Sequence, residues 1–72
     1  MGAVLTHEKY NSRPVVLVDG YRYYMVSKHK TEANARRQLQ RMDYKGKLRR
    51  VGDWWMILQG LPAQFQVKRR ML

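Results

Sequence analysis

Arg36, Arg37 and Arg41 are the residues of this chain whose type and spacing point most directly to a chemistry. Cations four and five residues apart fall on one side of a helix, where guanidinium groups can follow a phosphate backbone or lie in a groove. Lys45 and Lys47 extend the set beyond the helix, and Lys28 and Lys30 precede it. From Lys28 to Arg50 the chain carries nine Lys or Arg, Arg49 and Arg50 included, against two acids. A merely solvated helix face intersperses acids that pair with its cations three or four residues away. Glu32 stands in that relation to Arg36, but nothing comparable faces Arg37 or Arg41. The charge is therefore read as functional, with the solvated face as the bland alternative.

A second set combines aromatic planes with cations: Arg22, Tyr24, Arg50 and Trp55. Such residues on one sheet face would stack unpaired bases, at roughly 1–3 kcal/mol each, while the cations track phosphates. The competing reading puts the same aromatics in the core, with Arg stems lying along them. A third set, Lys68, Arg69 and Arg70, reads as a basic tail that adds phosphate contacts or solubility. His7 and His29 are read as polar surface residues; with no cysteine in the chain, no metal and no cofactor is expected.

The composition narrows the classes. With 72 residues the chain forms one domain with a small core. A hydrophobic content of 44% belongs to a folded protein and not to a disordered basic tail. The formal net charge of +10 is the dominant fact, since such an excess repels itself in a compact state and is relieved by an acidic partner. Of the acids, Asp19 and Asp53 fall in turns and Glu32 in a first helical turn, so they have local tasks. No apolar run is long enough to span a membrane, and the N-terminus lacks the pattern of a secretory signal, so a cytoplasmic, intracellular protein is expected. Gly2 followed by Thr6 fits the loose myristoylation pattern, against which stands an ordinary frayed terminus; no membrane partner is expected. An enzyme is not expected either. The chain has no Gly-rich phosphate loop, no Ser/His/Asp or Cys/His set, and scattered acids; His29 between Lys28 and Lys30 is the sole hint of nucleolytic chemistry.

The elements that must position these residues can be read along the chain. Residues 1–13 show weak periodicity and read as a flexible N-terminal segment, with Asn11, Ser12, Arg13 and Pro14 as a loop. Asp19-Gly20 between Val15–Val18 and Tyr21–Lys28 predicts a hairpin with a type I′ turn, pairing Val18 with Tyr21 and Val16 with Tyr23. Thr31 predicts a helix N-cap, the helix running to Asp43 and closed by Gly46. Its apolar stripe is Ala35, Leu39 and Met42. Gly52-Asp53 predicts a second hairpin, Leu48–Val51 with Trp54–Leu58, through a type II′ turn. Gln64–Val67 reads as a short edge strand or the start of the tail.

The span Tyr23–Leu58, which reads YYMVSKHKTEANARRQLQRM and later VGDWWMIL, resembles half of a peptidoglycan-binding SPOR repeat. Such repeats likewise run from an aromatic strand through a Thr-opened, Ala-containing helix to a strand holding an aromatic. The resemblance covers half the chain, stops short of that repeat's second helix, and implies a glycan partner. At the level of architecture alone, the combination is also similar to the arm-type DNA-binding domains of integrases and to double-stranded RNA-binding domains.

These readings combine into an α+β fold, strand and helix order ββαββ, with residues 14–60 as the domain and 61–72 as a short strand or basic tail. The helix is expected on the sheet face formed by Val16, Val18, Tyr23, Met25, Trp54, Met56 and Leu58. The expected function is non-enzymatic binding of nucleic acid, DNA or RNA, by the Lys/Arg-rich helix and loop with stacking on sheet aromatics. Six to ten phosphate contacts would weaken binding roughly 10³- to 10⁵-fold between about 50 and 200 mM salt. The alternative is a protein-interaction module, a small viral or mobile-element factor docking on an acidic partner protein, or a homo-oligomer paired through an edge strand.

Overall fold

The computed structural model of the chain describes residues 2–66. It is a small α+β domain: strands β1 (Ala3–Tyr10), β2 (Arg13–Val18) and β3 (Tyr21–His29), helix α1 (Glu32–Arg41), and strands β4 (Lys47–Val51) and β5 (Trp54–Gly60). All five strands form one antiparallel sheet in the order β1-β2-β3-β5-β4. Because β5 is antiparallel to both of its neighbours, β3 and β4 run parallel, and α1 is the crossover between them. No helix among the described residues is long and apolar enough to cross a membrane.

Both expected hairpins form in the expected register. Val18 pairs with Tyr21 and Val16 with Tyr23, around Asp19 and Gly20, whose φ angles of 51° and 85° are the two left-handed positions a type I′ turn needs. Val51 pairs with Trp54 and Leu48 with Ile57 around a turn in which Gly52 alone has positive φ, 64°, as type II′ requires.

The N-terminal segment corrects the sequence reading. Residues 3–10 are not a loose lead-in but a strand paired with β2, which makes the order βββαββ. Asn11 and Ser12, with φ of 51° and 67°, form the tight turn that joins them. The alternation of β1 is hidden by an irregularity between Leu5 and Lys9, where Thr6 Oγ1 donates to the Val15 carbonyl at 2.8 Å and accepts from the Glu8 N–H at 3.1 Å. Pro14 fits within β2 because the ladder to β3 begins only at Val15. Beyond it, Arg13 Nη1 donates to the Met25 and Val26 carbonyls, at 3.4 and 2.9 Å.

The helix is also shorter than expected. Thr31 caps it, its Oγ1 accepting from the Asn34 N–H at 3.2 Å, but it ends at Arg41, with Asp43 and Tyr44 both left-handed at φ 56° and 60°. Gly46 does not close the helix. Instead it lets the following loop approach β5, since a Cβ there would stand 2.9 Å from Ile57 Cγ2 and 3.3 Å from the Leu58 carbonyl.

The two sides of the sheet are buried in different ways. Residues opposite each other in the ladder share a face, so Val16, Val18, Met56, Leu58 and Val51 lie together; all are buried, with Ala3, Tyr23, Met25 and Trp54 packed on them. No helical residue belongs to that cluster. The strands β1 and β4, at opposite ends of the order, come within 8 Å of each other, Cα to Cα, so the sheet curls over this face and buries it against itself. Helix α1 lies on the other face, against β3, β4 and β5, where Ile57 and Ala35 are fully buried. Of the expected sheet core, Val16, Val18, Met56 and Leu58 are buried and Tyr23, Met25 and Trp54 half-buried, while Val15, Val51, Ile57 and Leu61 are buried without having been expected there. The helix sits on the opposite side from the one expected. Gln64–Val67 is not an edge strand: Ala63–Phe65 form a 3₁₀ turn, and Val67 lies outside the described residues. The Gln66 amide then serves in place of a strand neighbour, accepting from the Arg22 N–H at 2.8 Å and donating to its carbonyl at 2.7 Å.

Candidate nucleic-acid interface

The outer side of α1 presents Arg36, Arg37, Gln40 and Arg41 to solvent, because Ala35 and Leu39 turn inward to the sheet. Arg36 is held back along the helix by Glu32, Nε to Oε2 at 3.0 Å. Arg37 donates only to an amide oxygen, Asn34 Oδ1, at 3.2 Å. Arg41, in the last turn, faces the negative end of the helix dipole. An open groove of about 480 Å³ runs between Ala33, Arg36, Arg37, Leu39, Gln40 and Tyr44. The Tyr44 ring is 66% exposed on a backbone at φ 60°, a conformation a bulky side chain adopts at a cost. Lys45 is exposed beside it, its carbonyl accepting from Gln59 Nε2 at 2.7 Å. This arrangement offers guanidinium groups for phosphates, a ring for stacking and the Gln40 amide for a base edge. Tyr44 and Gln40 escaped the sequence reading; their spacing of four residues, in step with Arg36 and Arg37, was the available signal.

A second basic cluster forms on the other side of the sheet. A bulge in β3 leaves Val26 unpaired, Met25 facing Leu58 and Ser27 facing Ile57. The extra residue reverses the alternation beyond it, so Lys28 shares a face with Met25, Met56 and Trp54. The Lys28 and Lys30 ammonium groups both sit over the Trp54 ring, 4.4 and 5.4 Å from its centroid. Arg49 stands in the same cross-strand row as Lys28, across Met56, and Lys47 lies over Tyr23 at 5.8 Å. Trp54 had been read as core; it is half-buried and carries two cations.

The expected stacking surface does not assemble. Arg22, Tyr24, Arg50 and Trp55 do share a face, but it is the helix-covered one and they fall at two ends of it. Arg22 is engaged by Glu8 Oε2 and the Phe65 carbonyl, each at 3.1 Å. The Tyr24 hydroxyl meets Gln59 Oε1, and its ring lies 5.3 Å from Tyr10, which in turn meets Phe65 edge-on. Those two belong to packing. Arg50 and Trp55 pair across β4 and β5 beside His29, whose Nε2 is 3.0 Å from Ser27 Oγ, and Arg50 Nε donates to the Gly52 carbonyl. Lys68, Arg69 and Arg70 lie outside the described residues. Among the described residues, no three His, Cys, Asp or Glu side chains come together.

The fold and these surfaces define the chain as a small basic α+β domain with a five-stranded antiparallel sheet and one helix. No protein-family model matches it, and neither a curated protein nor a solved structure does so, so the likeness of Tyr23–Leu58 to half a SPOR repeat gains no support.

Proposed function

We propose that the chain is a non-enzymatic nucleic-acid-binding module whose main contact surface is the outer side of α1 and the loop after it. Arg37, Arg41, Lys45 and, by partial release from Glu32, Arg36 contact phosphates; Tyr44 stacks on an exposed base or sugar at the edge of the contact. The observation that carries this reading is the fate of the acids. Asp19 and Asp43 are left-handed turn residues, Asp53 completes the tight turn with Gly52, and Glu8 and Glu32 each hold one arginine. Of the twelve Lys and Arg among the described residues, only Arg22 and Arg36 meet a carboxylate. Among the described residues the other ten cations meet no carboxylate, and an external polyanion supplies the counter-charge.

The Arg37→Ala/Arg41→Ala double variant tests it. The exposed side chains leave folding intact, while the slope of log affinity against log salt for a duplex falls by about two contacts' worth, near 0.9 each. An unchanged slope with unchanged affinity would remove the helix from the interface.

A further inference from the structure

We infer that one molecule bridges two segments of nucleic acid, an activity that rests on the binding reading above and goes beyond it. The twelve described cations do not form one patch. Arg36, Arg37 and Arg41 lie with α1 on the Ile57 side of the sheet, whereas Lys28 and Arg49 lie on the Met56 side, where Lys30 joins Lys28 over Trp54; Lys45 and Lys47 line one groove at the edge between the two sides. The helix and the sheet stand between the two sets. A helix alone is about 10–12 Å across, more than the screening length of about 8 Å at physiological ionic strength. A phosphate backbone lying along the outer side of α1 is therefore screened from Lys28, Lys30 and Arg49, which remain free to take another.

The second set has the features of a prepared site and not of scattered solubilising charge. Two ammonium groups converge on one indole ring, and a bound anion offsets the like charge gathered there. The bulge at Val26 is what delivers Lys28 to that ring; unbroken alternation would have left it on the helix side. Arg49 extends the row across β4, and no acid of β3, β4 or β5 shares it. The Trp54 face is occupied by these lysines, so this side takes phosphates and not stacked bases. Two faces with separate anion sites on one small rigid body, each holding its own segment, produce a bridge.

The test uses the full chain and random-sequence duplexes of about 30 base pairs, one immobilised on beads and one fluorescent and free, at about 0.15 M salt. Wild type is expected to retain the fluorescent duplex on the beads. Lys28→Glu/Arg49→Glu, or Lys30→Glu/Arg49→Glu should the first fail to fold by circular dichroism, is expected to bind a lone duplex two- to tenfold more weakly by anisotropy yet to lose at least about tenfold in retention. Retention that persists in both charge-reversed variants would overturn the inference, pointing to bridging by paired copies. Lone-duplex binding by wild type without retention would overturn it too, and would leave the binding reading standing. No binding of wild type to a lone duplex in low salt would instead remove the binding reading itself.

Discussion

At the scale of single residues, Tyr44 sets stability against recognition. A tyrosine at φ 60° with two-thirds of its surface in solvent gains little from packing and bears a left-handed backbone that glycine would adopt freely. Tyr44→Gly is therefore expected to raise stability by about 1 kcal/mol, read as a higher urea midpoint by circular dichroism. The same change removes the stacking ring, so affinity for a single-stranded oligonucleotide falls by about 1–3 kcal/mol. A variant that gained stability and kept its affinity would take Tyr44 out of the interface. Gly46 illustrates the opposite case. Its sequence position suggested a helix stop, but its φ is ordinary and its smallness serves the close approach to Ile57.

Among the elements, the helix tests its own N-cap. Thr31→Ala frees the Asn34 N–H at the exposed start of α1 and is expected to cost about 1 kcal/mol, read as a lower thermal midpoint; no change would mean that the cap contributes nothing to α1. Both hairpins, their registers and this cap were legible in the sequence because each rests on local chemistry: Asp19-Gly20, Gly52-Asp53 and a Thr before Ala-rich turns. Three features were not. Strand β1 was hidden because Thr6, His7 and Glu8 break its alternation at the irregularity, and Ser12 is an uncommon residue at positive φ in a hairpin turn. The bulge at Val26 leaves no mark in composition, yet it decides which face receives Lys28. The side taken by α1 was undetermined because β5 is apolar on both faces, with Met56 and Leu58 on one and Ile57 on the other. Curling of the sheet buried the first face without a helix, which left Ile57 for α1 to cover. The stacking set of Arg22, Tyr24, Arg50 and Trp55 failed for the same reason: it was placed on the face assumed to be open.

For the whole molecule, the excess charge was legible and its division was not. A net charge of +10 pointed to a polyanion, but counting cations along the chain treated them as one surface. Once divided by the sheet, each side offers about four contacts to a single segment in place of six to ten. With a slope of about 0.9 per contact, affinity for one lone duplex should fall roughly a hundredfold between about 50 and 200 mM salt, less than the single-surface estimate. The most direct measurement of the central claim is fluorescence anisotropy of a labelled duplex titrated with the full chain at those two salt concentrations. Submicromolar to micromolar binding is expected at the lower salt and a loss of about two orders of magnitude at the higher. Equal affinity at both, or no binding at either, would contradict the assignment of these cations to a phosphate backbone.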